Sequence, residues 1–246
     1  MTDIEVSTTA TDNVSMPSMK VKETRKRRGL PPGTHGLSRE AVERSQRERL
    51  LFAITAAVAE KGYAAVTVTD IVERANVSRR TFYEHFQDKE DCFLAAYDAG
   101  SEELFRRVLE AQSQRHSWPE RARAAVHAYL HTFAEQPAYA KATMVEVLSA
   151  GPKALAHRRC MHRRYARLLQ DLHQQAREDR PEIRELPDAL FIATVSATDG
   201  LVTEYIEQGR AHELPQLEDV IVYLELALLV SHDDAARAVA KLQPGA

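Results

Sequence analysis

Strong helix breakers are so sparse in this chain that long helices are the elements that fit between them. The 246 residues include nine Gly and ten Pro, several of them near the N-terminus. From residue 88 onward, the apolar residues recur with a helical period, and no strand pattern or internal repeat is visible. The chain is therefore predicted to be all-α. The predicted helices in this part span about 88–113, 119–135, 137–149, 153–179, 187–209 and 216–242.

Closer to the N-terminus, the helical signals are shorter and better delimited. Ser38 is expected to cap a helix that Gly62 closes as a left-handed C-cap. A second helix begins near Thr67, and Ser78 caps a third, short helix over 79–86. Two short helices joined by a tight turn form a helix-turn-helix, whose second helix enters the major groove of DNA.

The third helix has one apolar and one polar face. Phe82 and Phe86, four residues apart, are expected to pack inward and hold the short helix in place. Several polar residues suit a DNA surface. Arg79 and Arg80 can bind guanine or phosphate, and Thr81 can contact a thymine methyl or phosphate. The residues expected to contact the DNA backbone are Tyr83, His85 and Lys89. Ser78, which caps the helix, is grouped with them. The alternative is a solvated surface helix.

The distribution of charge also favours DNA. The net charge is −3, but residues 20–90 carry 15 Lys/Arg against 10 Asp/Glu. Residues 1–37 are predicted to be a disordered tail with a basic arm at 20–28 that ends in Pro31-Pro32-Gly33. The arm is expected to contact phosphates or the minor groove, and a solvated tail is the alternative.

Residues 46–90 resemble, without a gap, the DNA-binding domain of the TetR family of bacterial regulators. The resemblance rests on Lys61-Gly-Tyr, Thr67-Val-Thr-Asp-Ile, Ala75-x-Val-Ser, Thr81-Phe-Tyr-x-His-Phe and Lys89-Glu. It implies that Thr67 and Thr69 contact DNA at the start of the second helix. The residues expected nearest the bases are Arg79, Arg80 and Thr81. Those expected to contact phosphates are Tyr83, His85 and Lys89. Asn76 departs from the usual Gly, but Asn tolerates a left-handed conformation.

After the tail 1–37, the resemblance implies a three-helix DNA-binding domain at 38–95 and a larger helical ligand-binding and dimerisation domain at 96–246. The last two helices are apolar on more than one side, which favours a dimer interface, with a monomer core as the alternative. A ligand pocket is also implied. Its candidate lining is Tyr97, Phe105, Phe133, Met144, Tyr165 and Phe191, although each of these residue types is more often plain core.

Other classes of site find less support. Cys92 and Cys160 lie far apart, and His127, His131, His157 and His162 have no evident carboxylate partner, so we expect no metal site and no cofactor. We find no nucleophile elbow and no phosphate-binding loop, which argues against an enzyme. The N-terminus lacks a signal peptide, and the longest apolar run, 220–230, is interrupted by Glu225 and too short to cross a membrane. A soluble cytoplasmic protein is expected.

The sequence thus predicts a homodimeric repressor on a pseudo-palindromic operator, released by a small-molecule effector. In this hypothesis, the effector tilts the fourth helix and spreads the two recognition helices. An enzyme with an appended DNA-binding domain, a DNA-binding protein without an effector, and an activator are the alternatives.

Overall fold

The computed structural model describes residues 38–240; the predicted basic arm lies outside this range. All regular elements in that range are helical, which confirms the all-α prediction. The helices are α1 (Arg39–Lys61), α2 (Val68–Ala75), α3 (Arg79–His85), α4 (Lys89–Ser113), α5 (Trp118–Glu135), α6 (Pro137–Ala140), α7 (Pro152–Asp179), α8 (Asp188–Glu207), α9 (Glu218–Leu229) and α10 (His232–Ala240).

The first core joins α1, α2, α3 and the start of α4. Leu50 and Ile54 of α1 and Ile71 of α2 are completely buried, and Phe82 of α3 packs into the same cluster. This cluster continues past residue 95, because Val147 and other residues of the 142–161 region belong to it. The helices α1, α2 and α3 therefore share a core with the beginning of the C-terminal part.

The end of α1 differs in detail from the expected left-handed cap. Gly62 has φ 80° and ψ 148°, so its φ is positive but its ψ lies outside the left-handed helical region. The Gly62 N–H still donates to the Val58 carbonyl at 2.9 Å. The chain leaves α1 in a more extended path than predicted, toward the Glu146 carboxylate.

The prediction of one regular α-helix over 137–149 is wrong. Only Pro137–Ala140 is α-helical, and it is followed by a π-helical turn at Lys141–Val145 and a 3₁₀ turn at Glu146–Ser149. Contacts at both ends override the helical preference: Tyr139 packs against Gly100 of α4, and Glu146 binds the backbone of Tyr63. We call residues 137–149 the irregular segment.

The predicted final helix over 216–242 is also wrong. A 3₁₀ turn (Ala211–Leu217) precedes α9, and the chain breaks again at Val230, where φ is −131° and ψ is −77°. The Ser231 hydroxyl then accepts a hydrogen bond of 3.2 Å from the Asp234 N–H and so starts α10. Arg180, the residue that follows α7, pairs with Asp234 at 2.8 Å, so a tertiary ion pair secures the break.

Candidate DNA-binding surface and ligand cavity

The helix-turn-helix is built from local caps. The Thr67 hydroxyl accepts from the Asp70 N–H at 3.3 Å while the Asp70 carboxylate accepts from the Thr67 N–H at 2.8 Å, which starts α2. Asn76 ends α2 in the left-handed conformation, with φ 52° and ψ 54°. It therefore adopts the geometry for which a glycine was expected, and Ser78 then caps α3 through the Thr81 N–H at 3.0 Å.

An arginine that the sequence interpretation did not single out fixes this turn. Arg49 of α1 donates to the backbone carbonyls of Ala75 at 2.8 Å and Asn76 at 3.0 Å. Both carbonyls belong to the end of α2, where backbone acceptors lack helical partners. Arg49 therefore ties the turn to α1. The sequence feature that could have indicated this role is the position of Arg49 beside the apolar stripe of α1.

The recognition helix α3 turns its polar face outward. Phe82 and Phe86 are buried, as predicted, and Arg47 lies over the Phe86 ring at 4.6 Å. Arg80 is 89% exposed in its side chain and holds Glu84 at 3.0 Å. Arg79 and Tyr83 are exposed beside it. An exposed cationic and aromatic face on a short helix can reach base edges and phosphates.

The remaining predicted DNA contacts occupy different environments. Thr67, Thr69 and Ser78 are exposed, whereas Thr81 is half-buried with its hydroxyl 2.9 Å from that of Ser78. His85 is half-buried, and burial lowers the pKa of its imidazole, with Arg47 adding to the effect. His85 is therefore neutral near pH 7 and offers a hydrogen bond without a charge.

Lys89 is not a free cation in this structure. Its ammonium donates to the Tyr63 carbonyl at 2.8 Å and lies 4.4 Å from the centre of the Tyr63 ring. The lysine thus connects the start of α4 to the loop after α1. A phosphate contact would have to share this ammonium with Tyr63.

The C-terminal part contains a cavity between α4, α5, α7, α8, α9 and the irregular segment. Its free interior is about 90 Å³. Of the six residues predicted to line a pocket, Tyr97, Phe133, Met144 and Tyr165 line this cavity. The other two do not: the Phe105 ring packs edge-on against Tyr165 at 5.3 Å, and Phe191 packs against His173 at 5.5 Å. Both point to neighbouring helices instead.

The cavity also contains polar groups that sequence reasoning missed. Glu225 of α9 is buried in its wall, and burial raises the pKa of its carboxyl to about 8. The Tyr165 hydroxyl and the Gln112 amide nitrogen, also in the wall, have no hydrogen-bond partner among residues 38–240. At one side, Asp199 of α8 pairs with Arg158 and His162 of α7. The sequence feature that could have indicated a buried Glu225 is its position as a single charged residue within an apolar run.

Two contacts connect the cavity region to the DNA-binding helices. Glu146 of the irregular segment accepts a hydrogen bond of 2.8 Å from the Tyr63 N–H. Lys153, at the start of α7, pairs with Glu90 of α4 at 2.7 Å. Tyr139, Thr143 and Met144 of the irregular segment line the cavity itself. The irregular segment therefore contacts both the cavity and the loop after α1.

Helices α8 and α9 leave an apolar face exposed. On α9 the exposed residues include Val220, Tyr223 and Leu228. On α8 they include Ala197 and Gly200, and a side chain at Gly200 would meet no atom within 4 Å. By length and composition alone, α8 is the one described helix that is apolar enough to cross a membrane, with 28% of that window buried. Its buried Asp199 pairs with Arg158 inside the domain.

The prediction that these histidines lack a carboxylate partner was wrong: His157 pairs with Asp98 and His162 with Asp199, and the pair on α5 also has a carboxylate beside it. His127 and His131 of α5 stack with ring centres 3.9 Å apart. Glu218, which is 91 residues away in sequence, accepts a hydrogen bond from His127 Nδ1 at 2.8 Å. The partner begins α9, and its approach depends on packing that a linear pattern does not contain.

The fold and the recognition helix define a helix-turn-helix protein that binds DNA and regulates transcription. The family model described as "Bacterial regulatory proteins, tetR family" matches residues 50–96. Residues 50–96 are thus similar to the DNA-binding domain of the TetR family of bacterial regulatory proteins.

Individual relatives agree with this assignment. The chain is 26% identical over 230 residues to the HTH-type transcriptional regulator EthR of Mycolicibacterium smegmatis, covering 92% of this chain and 85% of that protein. It is 31% identical over 108 residues to the transcriptional activator FasR of the same organism, covering 43% and 49%. Among solved structures, FadR from Bacillus subtilis in complex with stearoyl-CoA superposes with a TM-score of 0.65 at 22% identity, covering 75% and 97%.

Proposed function

We propose that this chain is a homodimeric repressor that a small molecule with a long apolar part releases from a pseudo-palindromic operator. The main support for the proposal is the cavity, because its wall includes the irregular segment, which also contacts the loop after α1 in the predicted DNA-binding domain. The protein would act in the cytoplasm, where operator and effector are both accessible, and would need neither a cofactor nor catalysis.

The surface of α3 supports the DNA half of the proposal. Arg79, Arg80 and Tyr83 stand exposed beside one another, while Phe82 anchors the helix. Thr67 and Thr69 are exposed at the start of α2. In a two-fold dimer, two such faces would meet successive major grooves, which lie about 34–36 Å apart on one side of DNA.

The apolar face of α8 and α9 supports the dimer. Large apolar side chains such as Val220 and Leu228 are exposed on α9. Small residues on α8, Ala197 and Gly200 among them, permit close approach of a second helix. Exposed apolar surface on neighbouring helices favours an interface. A symmetric pairing of the two helices with those of a second copy would cover it.

The chemistry of the cavity supports a mainly apolar effector. Apolar side chains such as Leu104, Val126 and Val195 dominate its wall. Binding sites for small molecules combine such walls with a few polar groups that set orientation. FadR of Bacillus subtilis was solved with stearoyl-CoA, which makes acyl chains the first class to test.

The irregular segment supplies a route from the cavity to DNA. An effector that displaces Tyr139 or Met144 would move the segment that carries Glu146. Glu146 holds the Tyr63 N–H, and Tyr63 in turn holds Lys89 at the start of α4. The effector would need a higher affinity for the DNA-free conformation than for the DNA-bound one, because only differential binding shifts an equilibrium.

The test has two stages. Selection of bound duplexes from a random pool would first identify the operator, and the proposal expects a site with two-fold symmetry. Fluorescence anisotropy with that operator would then be followed during titration with stearoyl-CoA and with shorter acyl-CoA esters. Release of DNA by at least one of them, together with binding measured by calorimetry, would support the proposal. Saturable binding by the esters with unchanged DNA affinity would contradict it.

Activation is the second candidate function, because FasR, an activator, shares 31% identity over 108 residues. Both functions use the same DNA surface, and the position of the operator relative to the promoter separates them. A reporter gene behind the selected operator in its natural promoter would decide: repression predicts a higher signal when the regulator is deleted, and activation predicts a lower one.

A further inference from the structure

A cluster of three metal-ligating side chains lies outside the cavity and the DNA-binding surface. His127 and His131 are one turn apart on α5, with stacked rings, and Glu218 begins α9 beside them. One ligand atom from each of the three lies within 4.8 Å of the others. We call these residues the His–Glu cluster.

We propose that the His–Glu cluster binds one divalent transition-metal ion, with zinc as the physiological candidate. Two imidazoles and one carboxylate form a common zinc ligand set, in which water or another ligand completes the tetrahedron. With metal–ligand bonds of about 2.0–2.2 Å, ligand atoms in a tetrahedral site lie roughly 3.3 Å apart. Small side-chain rotations would bring the present atoms to that spacing.

A neighbouring arginine orients the carboxylate for this role. Arg123 Nη1 donates to Glu218 Oε1 at 2.7 Å, while Oε2 faces His127. Groups that hold a ligand in place in this way raise the affinity of metal sites. Arg123 also pairs with Asp219 at 2.6 Å, so the second carboxylate offsets its positive charge. Two carboxylates and one guanidinium leave a net charge of −1 to attract a cation.

The cluster is accessible from solvent. His127 and Glu218 line a surface cleft whose free volume is about 720 Å³, formed by parts of α4, α5, α9 and α10. The cleft gives an ion a way in and leaves space for a fourth ligand. A bound ion would also join α5, which forms part of the cavity wall, to the beginning of α9, and would therefore stabilise the folded chain.

The simpler alternative is a hydrogen-bonded pair. The contact between His127 and Glu218 needs no metal, and it accounts for the 2.8 Å distance by itself. It does not account for His131, whose ring stacks on that of His127 and also presents a ligand atom to Glu218. The two interpretations differ in whether removal of His131 affects a bound ion.

The test uses the full chain without an affinity tag, stripped of metal with a chelator and titrated with zinc chloride in a calorimeter. We expect one zinc per chain. His131→Ala and Glu218→Gln should each weaken zinc binding by at least about tenfold, since even loss of a supporting neighbour costs about 10–100-fold. His157→Ala is the matched control, because His157 also faces a single carboxylate, Asp98 at 2.7 Å, but lies outside the cluster.

Thermal unfolding provides an independent readout. Zinc should raise the midpoint of the wild type and of His157→Ala, but not that of His131→Gln, which retains a side chain of similar length. Circular dichroism without zinc would establish that each variant is folded. Zinc binding that is absent in the wild type, or that is equal in His131→Ala, Glu218→Gln and the wild type, would overturn the proposal. None of these outcomes depends on the effector, so this proposal and the proposed function can fail separately.

Discussion

Glu146 accepts a hydrogen bond of 2.8 Å from the backbone N–H of Tyr63, and 83 residues separate the two in sequence. The acceptor lies in the irregular segment that borders the cavity, and the donor lies in the loop after α1. Tyr63 also accepts from Lys89 at the start of α4. A single carboxylate thus connects the cavity wall to the loop that supports the DNA-binding helices.

Replacing this carboxylate should uncouple the two sites. In Glu146→Ala, we expect effector binding to be retained, while the effector-induced loss of DNA affinity falls several-fold, because movement of the segment no longer reaches Tyr63. Operator anisotropy with and without stearoyl-CoA measures the coupling. Glu135→Ala, an exposed carboxylate at the end of α5, is the control and should behave like the wild type. Unchanged coupling in Glu146→Ala would assign the transmission to another contact.

The close approach of α4 and the irregular segment requires a glycine. A Cβ at Gly100 would overlap the Tyr139 ring, which is itself buried. We therefore expect Gly100→Ala to lower the free energy of unfolding by about 1–3 kcal/mol, despite the better helix propensity of alanine. Urea denaturation measures the change. In the background of Tyr139→Leu the cost should disappear or reverse, and an equal cost in both backgrounds would show that the ring is not responsible.

Glu225 should make stability depend on pH. Burial raises the pKa of its carboxyl from 4.5 to about 8. Between these values the folded state keeps a proton that the unfolded state releases, so stability falls as the pH rises, by roughly 1.4 kcal/mol per pH unit at most. The contribution is fully present below pH 4.5 and is lost as the pH rises through about 8.

The variant Glu225→Gln is neutral at every pH and should remove this dependence. Relative to the wild type, we expect it to gain up to about 3 kcal/mol at pH 7 and nothing at pH 4.5. Urea denaturation of both proteins over this range gives the difference curve, in which contributions from histidines cancel. Parallel curves would mean that the Glu225 carboxyl is solvated or paired in solution.

The apolar face of α8 and α9 makes a prediction about assembly. Ala197→Arg places a charge on the exposed stripe of α8. If this face joins two copies, the dimer should weaken at least about a hundredfold, since an unpaired buried charge costs roughly 3–5 kcal/mol. Sedimentation velocity at several concentrations measures the shift. Gln174→Arg, on the exposed face of α7, should not change it, and an intact Ala197→Arg dimer would place the interface elsewhere.

The recognition helix makes a prediction about base preference. Arg80 is an exposed cation in the first turn of α3. We expect Arg80→Ala to relax the preference at one position of each operator half-site by about 1–3 kcal/mol. Binding measured across single-base operator variants tests this, with Arg106→Ala on α4 as the control. Equal weakening on every operator would instead identify a phosphate contact.

Several features of the DNA-binding domain were predictable from sequence because short-range interactions determine them. Thr67, Ser78 and Asp88 cap α2, α3 and α4 as their residue types and positions predict. Phe82 and Phe86 are buried because helical spacing places them on one face. The contact of Arg49 with the end of α2 was not predictable in this way, because its two acceptors are 26 and 27 residues away in sequence.

The C-terminal part was predictable only in outline. Breaker positions located the helices, but they did not predict the π-helical turn at Lys141–Val145 or the break at Val230. Both irregularities accompany long-range contacts, those of Glu146 with Tyr63 and of Arg180 with Asp234. Similarly, Phe105 and Phe191 are aromatic residues of the type that lines pockets, but their rings pack against other helices.

The sequence by itself determined the helical class, the capped helix-turn-helix and the outward face of α3, since caps and helical periodicity act over a few residues. Only the tertiary structure decided which side chains enclose the cavity, that Glu225 is buried within it, and that Glu218 joins His127 and His131. The physical reason is that these groups belong to helices far apart in sequence, whose relative placement depends on the packing of the whole core.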